Sequence, residues 1–243
     1  MSGHSKWNNI KRKKEFADSK RAKIFTKIGR EIMIAAREGG ANPESNSKLR
    51  DVIAKAKANN VPNDNISRML AKASGENGAN YEYMNYEGYG PAGIAVIVET
   101  MTDNKNRTAG DVRHYFDKYG GNLGANGCVS WQFDKKGVLV IDREDRDEDE
   151  FMMTALECGA DDILAEEDAF TVYTDPDSFS EVREALEKEG FEFLSAEVEM
   201  VPQNYVKLTN EDDIKNMEKL IDMLEDNDDV QSIWHNWEQD DEE

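Results

Sequence analysis

Gly137-Val-Leu-Val-Ile141, Glu148-Asp-Glu-Phe-Met-Met-Thr-Ala-Leu-Glu-Cys158, Ile163-Leu-Ala165, Phe170-Thr-Val-Tyr173, Ser178-Phe-Ser-Glu-Val-Arg-Glu-Ala-Leu-Glu-Lys-Glu189 and Ala196-Glu-Val-Glu-Met200 follow one another with little between them. The first block is short, apolar and β-branched, which predicts a strand. The second and fifth carry helical spacing and stop at Gly159 and Gly190. Between them, Ile163–Ala165 and Phe170–Tyr173 predict a hairpin around Glu166-Glu-Asp168. In the last block Ala196, Val198 and Met200 alternate with Glu197 and Glu199, as in a strand with one wet face. The resulting order βαββαβ is the split-βαβ, ferredoxin-like pattern.

Outward from this unit, Ile94–Thr100 predicts a buried strand and Ala109, Val112, Phe116 and Tyr119 a helix closed by Gly120-Gly121. Val129, Trp131 and Phe133 alternate with Ser130 and Gln132, which predicts a second strand. Downstream, Tyr205–Leu208, Glu211–Glu225 and Val230–Trp237 repeat strand, helix and strand. These two halves complete another βαββαβ set if the 137–202 unit is inserted between them. The fold class expected is α+β multidomain: an N-terminal all-α module followed by two ferredoxin-like α+β domains, one inserted in the other. The expected boundaries are 1–78 for a basic helical domain with an N-terminal arm, 79–134 plus 203–238 for one α+β domain, 135–202 for the inserted one, and 239–243 for an acidic tail.

The all-α module is read from residues 16–75. Phe25, Ile28, Ile32, Ala35 and Ala36 recur at helical spacing until Gly39-Gly40. Leu49, Val52, Ile53 and Ala56 mark a second helix, and Ile66, Met69, Leu70 and Ala73 a third, ended by Gly75. Gly75-Glu-Asn-Gly-Ala-Asn80 reads as a linker.

Composition narrows the class. The 243 residues are 38% hydrophobic and 33% charged, with a mean hydropathy of -0.78. The longest apolar run, Ile94–Val98, is far short of the about 20 residues of a membrane span. The polar, cationic start has no apolar core, against a secretory signal, and it runs directly into a patterned helix, against a transit peptide. Cys128 and Cys158 make no CxxC spacing and suit a reducing cytoplasm.

The net charge of -21 conceals a division. Residues 1–80 hold 17 Lys+Arg against 8 Asp+Glu, a balance of +9, whereas residues 81–243 hold 13 against 43, a balance of -30. Such asymmetry suggests that one part meets a polyanion. Lys6, Lys11, Arg12, Lys13, Lys14, Lys20, Arg21, Lys23, Lys27 and Arg30 supply the charges for phosphate contact. Lys20, Lys23, Lys27 and Arg30 fall at spacings of three and four, one stripe on a helix away from its apolar face. Trp7 adds a flat plate that either stacks on an unpaired base or anchors the arm to the helices. A secondary candidate is Asn104-Lys105-Asn-Arg107-Thr108, where cations meet a helix N-terminus, although a plain helix cap explains it as well.

Other chemistries lack support. Gly88-Tyr-Gly-Pro-Ala-Gly93 spells G-x-G-x-x-G, but a strand follows it where dinucleotide binding needs a helix, so an inter-strand turn is expected. Asp145-Arg-Asp147-Glu-Asp149 and Asp226-Asn-Asp228 begin like calcium loops yet lack the Gly and Glu that complete one. His4, His114 and His235 form no ligand pair, and no phosphate loop, HExxH or G-x-S-x-G occurs. No catalytic residue, metal, cofactor or small-molecule substrate is therefore expected.

Gly3-His-Ser-Lys-Trp7, Lys23-Ile-Phe-Thr-Lys27, Tyr86-Glu-Gly-Tyr-Gly-Pro91, Asn104-Lys-Asn-Arg-Thr108 and Gly120-Gly-Asn-Leu-Gly124 stand in one order along the chain. In these motifs the sequence resembles the YebC/PmpR family up to about Trp237. The resemblance implies a helical N-terminal domain and two α+β domains, one inserted in the other. It also implies a cytoplasmic DNA-binding transcriptional regulator, with relatives, among them a mitochondrial translational activator, that act on the ribosome. The expected function is thus a non-enzymatic nucleic-acid-binding regulator of gene expression. Two alternatives stand beside it: a translation factor associated with ribosomal RNA, and a protein-interaction adaptor working through the acidic domains. Phosphate contacts carry no identity, so the residues alone do not separate DNA from RNA.

Overall fold

A computed structural model describes residues 17–73, 81–143 and 146–239, with side chains from residue 22 onward in the first helix. The chain is an α+β multidomain protein, with an all-helical module followed by two α+β units on antiparallel sheets.

The module consists of α1 (Ala17–Gly39), α2 (Ser47–Ala58) and α3 (Asn63–Ala73). Ile28, Ile32, Ala35 and Ala36 form the buried stripe of α1 and close on Leu49 and Ala56 of α2 and Ile66 of α3. Asn46 fixes the corner between α1 and α2. Its Oδ1 accepts from Leu49 N as the α2 N-cap, while its Nδ2 donates to Ala35 O and Gly40 O, both at 2.8 Å. A Cβ on Gly39 would lie 2.6 Å from that Nδ2, so the end of α1 has no room for a side chain.

The first α+β unit begins with β1 (Glu82–Tyr89) and β2 (Ala95–Thr102), an antiparallel hairpin closed by a bond from Gly90 N to Ile94 O. In the Gly88–Gly93 segment, Gly88 and Tyr89 end β1 and Gly90–Gly93 form the turn of this hairpin. Then come α4 (Lys105–Lys118) and β3 (Asn122–Leu123). The unit resumes much later with β8 (Val206–Lys207), α7 (Glu211–Asp226), β9 (Val230–His235) and β10 (Trp237–Glu238); α5, α6 and β4–β7 belong to the intervening stretch given below. Its sheet has the order β3-β1-β2-β9. Val96 and Val98 face Val112 and Phe116 of α4 and Met217, Leu220 and Leu224 of α7.

The stretch between β3 and β8 builds the second unit from β4 (Phe133–Asp142), α5 (Glu148–Glu157), β5 (Asp162–Ala165), β6 (Ala169–Thr174), α6 (Phe179–Lys188) and β7 (Phe193–Pro202). The sheet order β5-β6-β4-β7, antiparallel at every pairing, is that of a split βαβ fold. Phe151 of α5 stacks on Phe170 of β6 with ring centroids 4.1 Å apart, and Phe179, Val182 and Leu186 of α6 complete the core. Ala95 and Ile97 of the first sheet share a further apolar cluster with Phe133 and Met200 of the second, so the two units are fused through side-chain packing.

Three expectations are corrected. Val129–Phe133 is not a strand with a wet face: residues 130–132 form a short 3-10 turn and β4 starts only at Phe133. The reason is Glu87, a buried carboxylate on β1 that accepts from Gly127 N, Val129 N and Ser130 N at 2.8–2.9 Å and so removes those donors from any ladder. Tyr205–Leu208 does not enter a four-stranded sheet. Only Val206 and Lys207 pair, in parallel, with Trp237 and Glu238. Val230–Trp237 is interrupted at Asn236, whose Oδ1 accepts from Ala95 N. The place expected for residues 129–133 in the first sheet is taken by β1, a strand that the mixed polarity of Glu82–Tyr89 conceals.

Candidate nucleic-acid interface

Lys6, Trp7, Lys11, Arg12, Lys13 and Lys14 lie outside the described residues. Lys20 and Arg21 stand in the first turns of α1. Lys23, Lys27 and Arg30 share one face of α1 as their spacing predicts, and this face is turned toward the first α+β unit.

The surface they meet is the C-terminal end of α7 and the turn into β9. Helix α7 has no basic residue in its last turn, so its exposed carbonyls and the negative end of its dipole are left to other groups. Lys23 Nζ donates to Asp226 O at 3.1 Å and to Asp226 Oδ1 at 2.9 Å. Lys27 Nζ donates to Glu225 O at 2.9 Å. Arg30 Nη1 donates to Met101 O, Asp228 O and Asp229 Oδ1, with its guanidinium over the Tyr81 ring. The stripe thus contacts carbonyls and carboxylates of its own chain.

Asp229 collects the contacts. Its carboxylate also accepts from Arg107 Nη2 at 2.7 Å, Thr108 Oγ1 at 2.8 Å and Thr102 Oγ1 at 3.2 Å. Burial pushes this carboxyl up, but the hydrogen bonds from Arg107, Thr108 and Arg30 outweigh it and hold the group below the usual carboxylate range. The secondary candidates are engaged in the same region. Arg107 also pairs with Asp103 at 2.9 Å, and Lys105 pairs with Glu82 at 2.6 Å. Asn104 caps α4 by accepting from Arg107 N, which is the helix-cap arrangement.

Helix α2 attaches the module to the second unit. Arg50 Nε pairs with Glu184 at 2.9 Å, and Arg183 Nε and Ser180 Oγ both donate to Asp51. Lys55 Nζ lies 3.0 Å from Glu31 of α1 and 3.3 Å from Glu197 of β7. A cleft of about 2110 Å³ opens between the module and the two units, with Lys23, Lys27 and Lys57 on one side and Glu192, Glu218 and Asp222 on the others.

Reasoning from sequence missed Asp226, Asp228 and Asp229 as partners of the stripe. The available signal was the acid run 225–229 closing a helix with no terminal cation. Among the described residues, no three His, Cys, Asp or Glu side chains converge as a metal-ligand group. No helix among them is long and apolar enough to cross a membrane.

A cationic helical module seated by ion pairs on two fused antiparallel units defines a multidomain α+β protein with segregated charge. The chain belongs to the TACO1/YebC family: residues 5–76 match the TACO1/YebC protein N-terminal domain, and residues 81–237 match the TACO1/YebC second and third domain. Relatives named "Probable transcriptional regulatory protein" include one from Acetivibrio thermocellus, 61% identical over 98% of this chain and 99% of its own. Another, from Ruminiclostridium cellulolyticum, is 62% identical over 100% of this chain and 98% of its own. The crystal structure of a conserved hypothetical protein from Aquifex aeolicus aligns with a TM-score of 0.84 at 43% identity, covering 93% of each chain.

Proposed function

We propose that the chain is a non-enzymatic, cytoplasmic regulator of gene expression that binds nucleic acid through its N-terminal basic segment. The observation that carries this is the charge division, +9 over residues 1–80 and -30 over residues 81–243. A polyanion is attracted to the first part and repelled by the second. The names of the relatives favour duplex DNA in a transcriptional role. In this reading the arm residues Lys6, Trp7 and Lys11–Lys14, with Lys20 and Arg21, make the first contacts. Lys105 and Arg107 serve the fold through Glu82, Asp103 and Asp229. No cofactor, metal or membrane takes part.

The test is an anisotropy titration of the full chain with a fluorescent duplex across a salt series, run in parallel with a ribosomal RNA hairpin. Replacing Lys11, Arg12, Lys13 and Lys14 together with Gln removes four charges. The log–log salt slope on duplex DNA is expected to become shallower by about 3–4. Tighter, salt-dependent binding of the hairpin than of the duplex favours the ribosomal alternative. Binding of neither polymer overturns the reading.

A further inference from the structure

Among the described residues, the helical module shares no apolar cluster with the rest of the protein. Its core runs from Ile24 to Ala73, and every other cluster is formed by residues from Met84 onward. The two α+β units, by contrast, are joined through Ala95, Ile97, Phe133 and Met200. Prominent among the contacts holding the module are ion pairs and charged hydrogen bonds, and several are solvent-exposed: the Lys23 and Asp226 side chains are 39% and 55% exposed, and Arg50 and Glu184 34% and 32%. The exposed pairs are individually weak and screened by salt, whereas Arg30–Asp229, at 12% and 5% exposed, and Arg183–Asp51, at 6% and 19%, are sheltered from it. The covalent connection, Gly75-Glu-Asn-Gly-Ala-Asn80, contains two glycines and no β-branched residue.

We propose that the Lys23, Lys27 and Arg30 face of α1 is a latch that docks the module on the C-terminal end of α7, and that nucleic acid competes for it, so that binding along α1 opens the seam between α1 and α7 while α2 stays attached to the second unit. The inference rests on the proposed nucleic-acid binding. Its chemistry is a substitution of acceptors. Carbonyl oxygens of Glu225, Asp226 and Asp228 and the carboxylates of Asp226 and Asp229 occupy the places that phosphate oxygens take. A polyanion that gains the arm first is held close enough to displace them one by one, since each substitution exchanges one anionic or dipolar acceptor for another. The acidic body then acts as a competitor that weakens binding and, because salt screens the latch as well, makes its salt dependence shallower.

The experiment uses the full chain with Cys128→Ser and Cys158→Ser, labelled for energy transfer at Lys72→Cys on α3 and Lys219→Cys on α7, both exposed positions. Without nucleic acid, raising salt from about 0.05 to 0.5 M is expected to lower transfer as the latch is screened. Lys23→Gln with Lys27→Gln is expected to lower it at every salt. Adding a duplex at low salt is expected to lower transfer in the unaltered latch. Asp226→Asn, which removes the exposed negative charge opposite Lys23 and no cation, is expected to tighten duplex binding about two- to fivefold. Transfer that responds to neither salt nor the lysine variant overturns the latch. Duplex binding with unchanged transfer and unchanged affinity in Asp226→Asn overturns the competition while leaving nucleic-acid binding intact. Absence of binding to duplex and RNA hairpin alike overturns the functional reading, and the coupling with it, while the salt response still reports on the latch.

Discussion

Arg30 on α1 and Asp229 at the entry to β9 meet at 2.9 Å, with side chains 12% and 5% exposed, and form a desolvated ion pair across the seam between the helical module and the first α+β unit. The same carboxylate holds Arg107 and Thr108, so it also anchors the first turns of α4 to the sheet. Two parts of the chain about 200 residues apart in sequence therefore depend on one buried group.

Asp229→Asn keeps the shape and removes the charge that two guanidinium groups face. Breaking the pair with Arg30 leaves that guanidinium charged and poorly solvated, and the expected loss of stability is about 2–4 kcal/mol. Urea denaturation measures it. A loss below about 0.5 kcal/mol would place Arg30 in solvent and contradict the geometry.

Glu87 supports a loop instead of a seam. Burial raises its carboxyl, and backbone N–H donors at Gly127, Val129 and Ser130 more than offset that, leaving it below the ordinary range. Because its folded value is depressed, its contribution is full above the unfolded value of about 4.3 and is lost as pH falls through the folded value. Glu87→Gln is expected to cost about 2–3 kcal/mol at neutral pH and less under acid, and to speed amide exchange at residues 127–130. Equal cost of the substitution at pH 7 and below pH 3 counts against this account.

Glu99 behaves in the opposite sense. Burial, and then the Glu31 carboxylate, push it up against the opposing effect of Lys55. Protonation is thus favoured by the fold, and stability from this group rises as pH falls through its raised value. Glu99→Gln is expected to stabilise the protein at pH 8 by about 0.5–1.5 kcal/mol, the gain disappearing near pH 4. Thermal melts across that range would show it, and a destabilised variant at pH 8 would refute it.

Lys55 lies where all three parts converge, and its ammonium is held charged, above its ordinary range, by Glu31 and Glu197 in spite of burial. Lys55→Met removes the ammonium that Glu31 and Glu197 share. The expected cost is about 2–4 kcal/mol, partly recovered by adding Glu197→Gln. A double-mutant cycle by chemical denaturation tests this, and strict additivity would mean that the two side chains do not interact.

Local pattern carried the elements whose stability is local. The apolar period of α1, the glycines that close it and the βαββαβ order of residues 137–202 are readable because helix period, strand alternation and turn chemistry act within a few residues. The cationic stripe was readable for the same reason. What the stripe touches was not, because a row of cations three and four residues apart suits a phosphate backbone and the carbonyl end of a helix equally well. Only tertiary structure brings residues 225–229 to Lys23, Lys27 and Arg30. Residues 129–133 show the same division: their alternation is that of a strand, yet their amides turn to Glu87, a carboxylate 40 and more residues away. A period of two states which side chains share a face. The partner of each backbone donor is decided by whichever acceptor the folded chain places within about 3 Å.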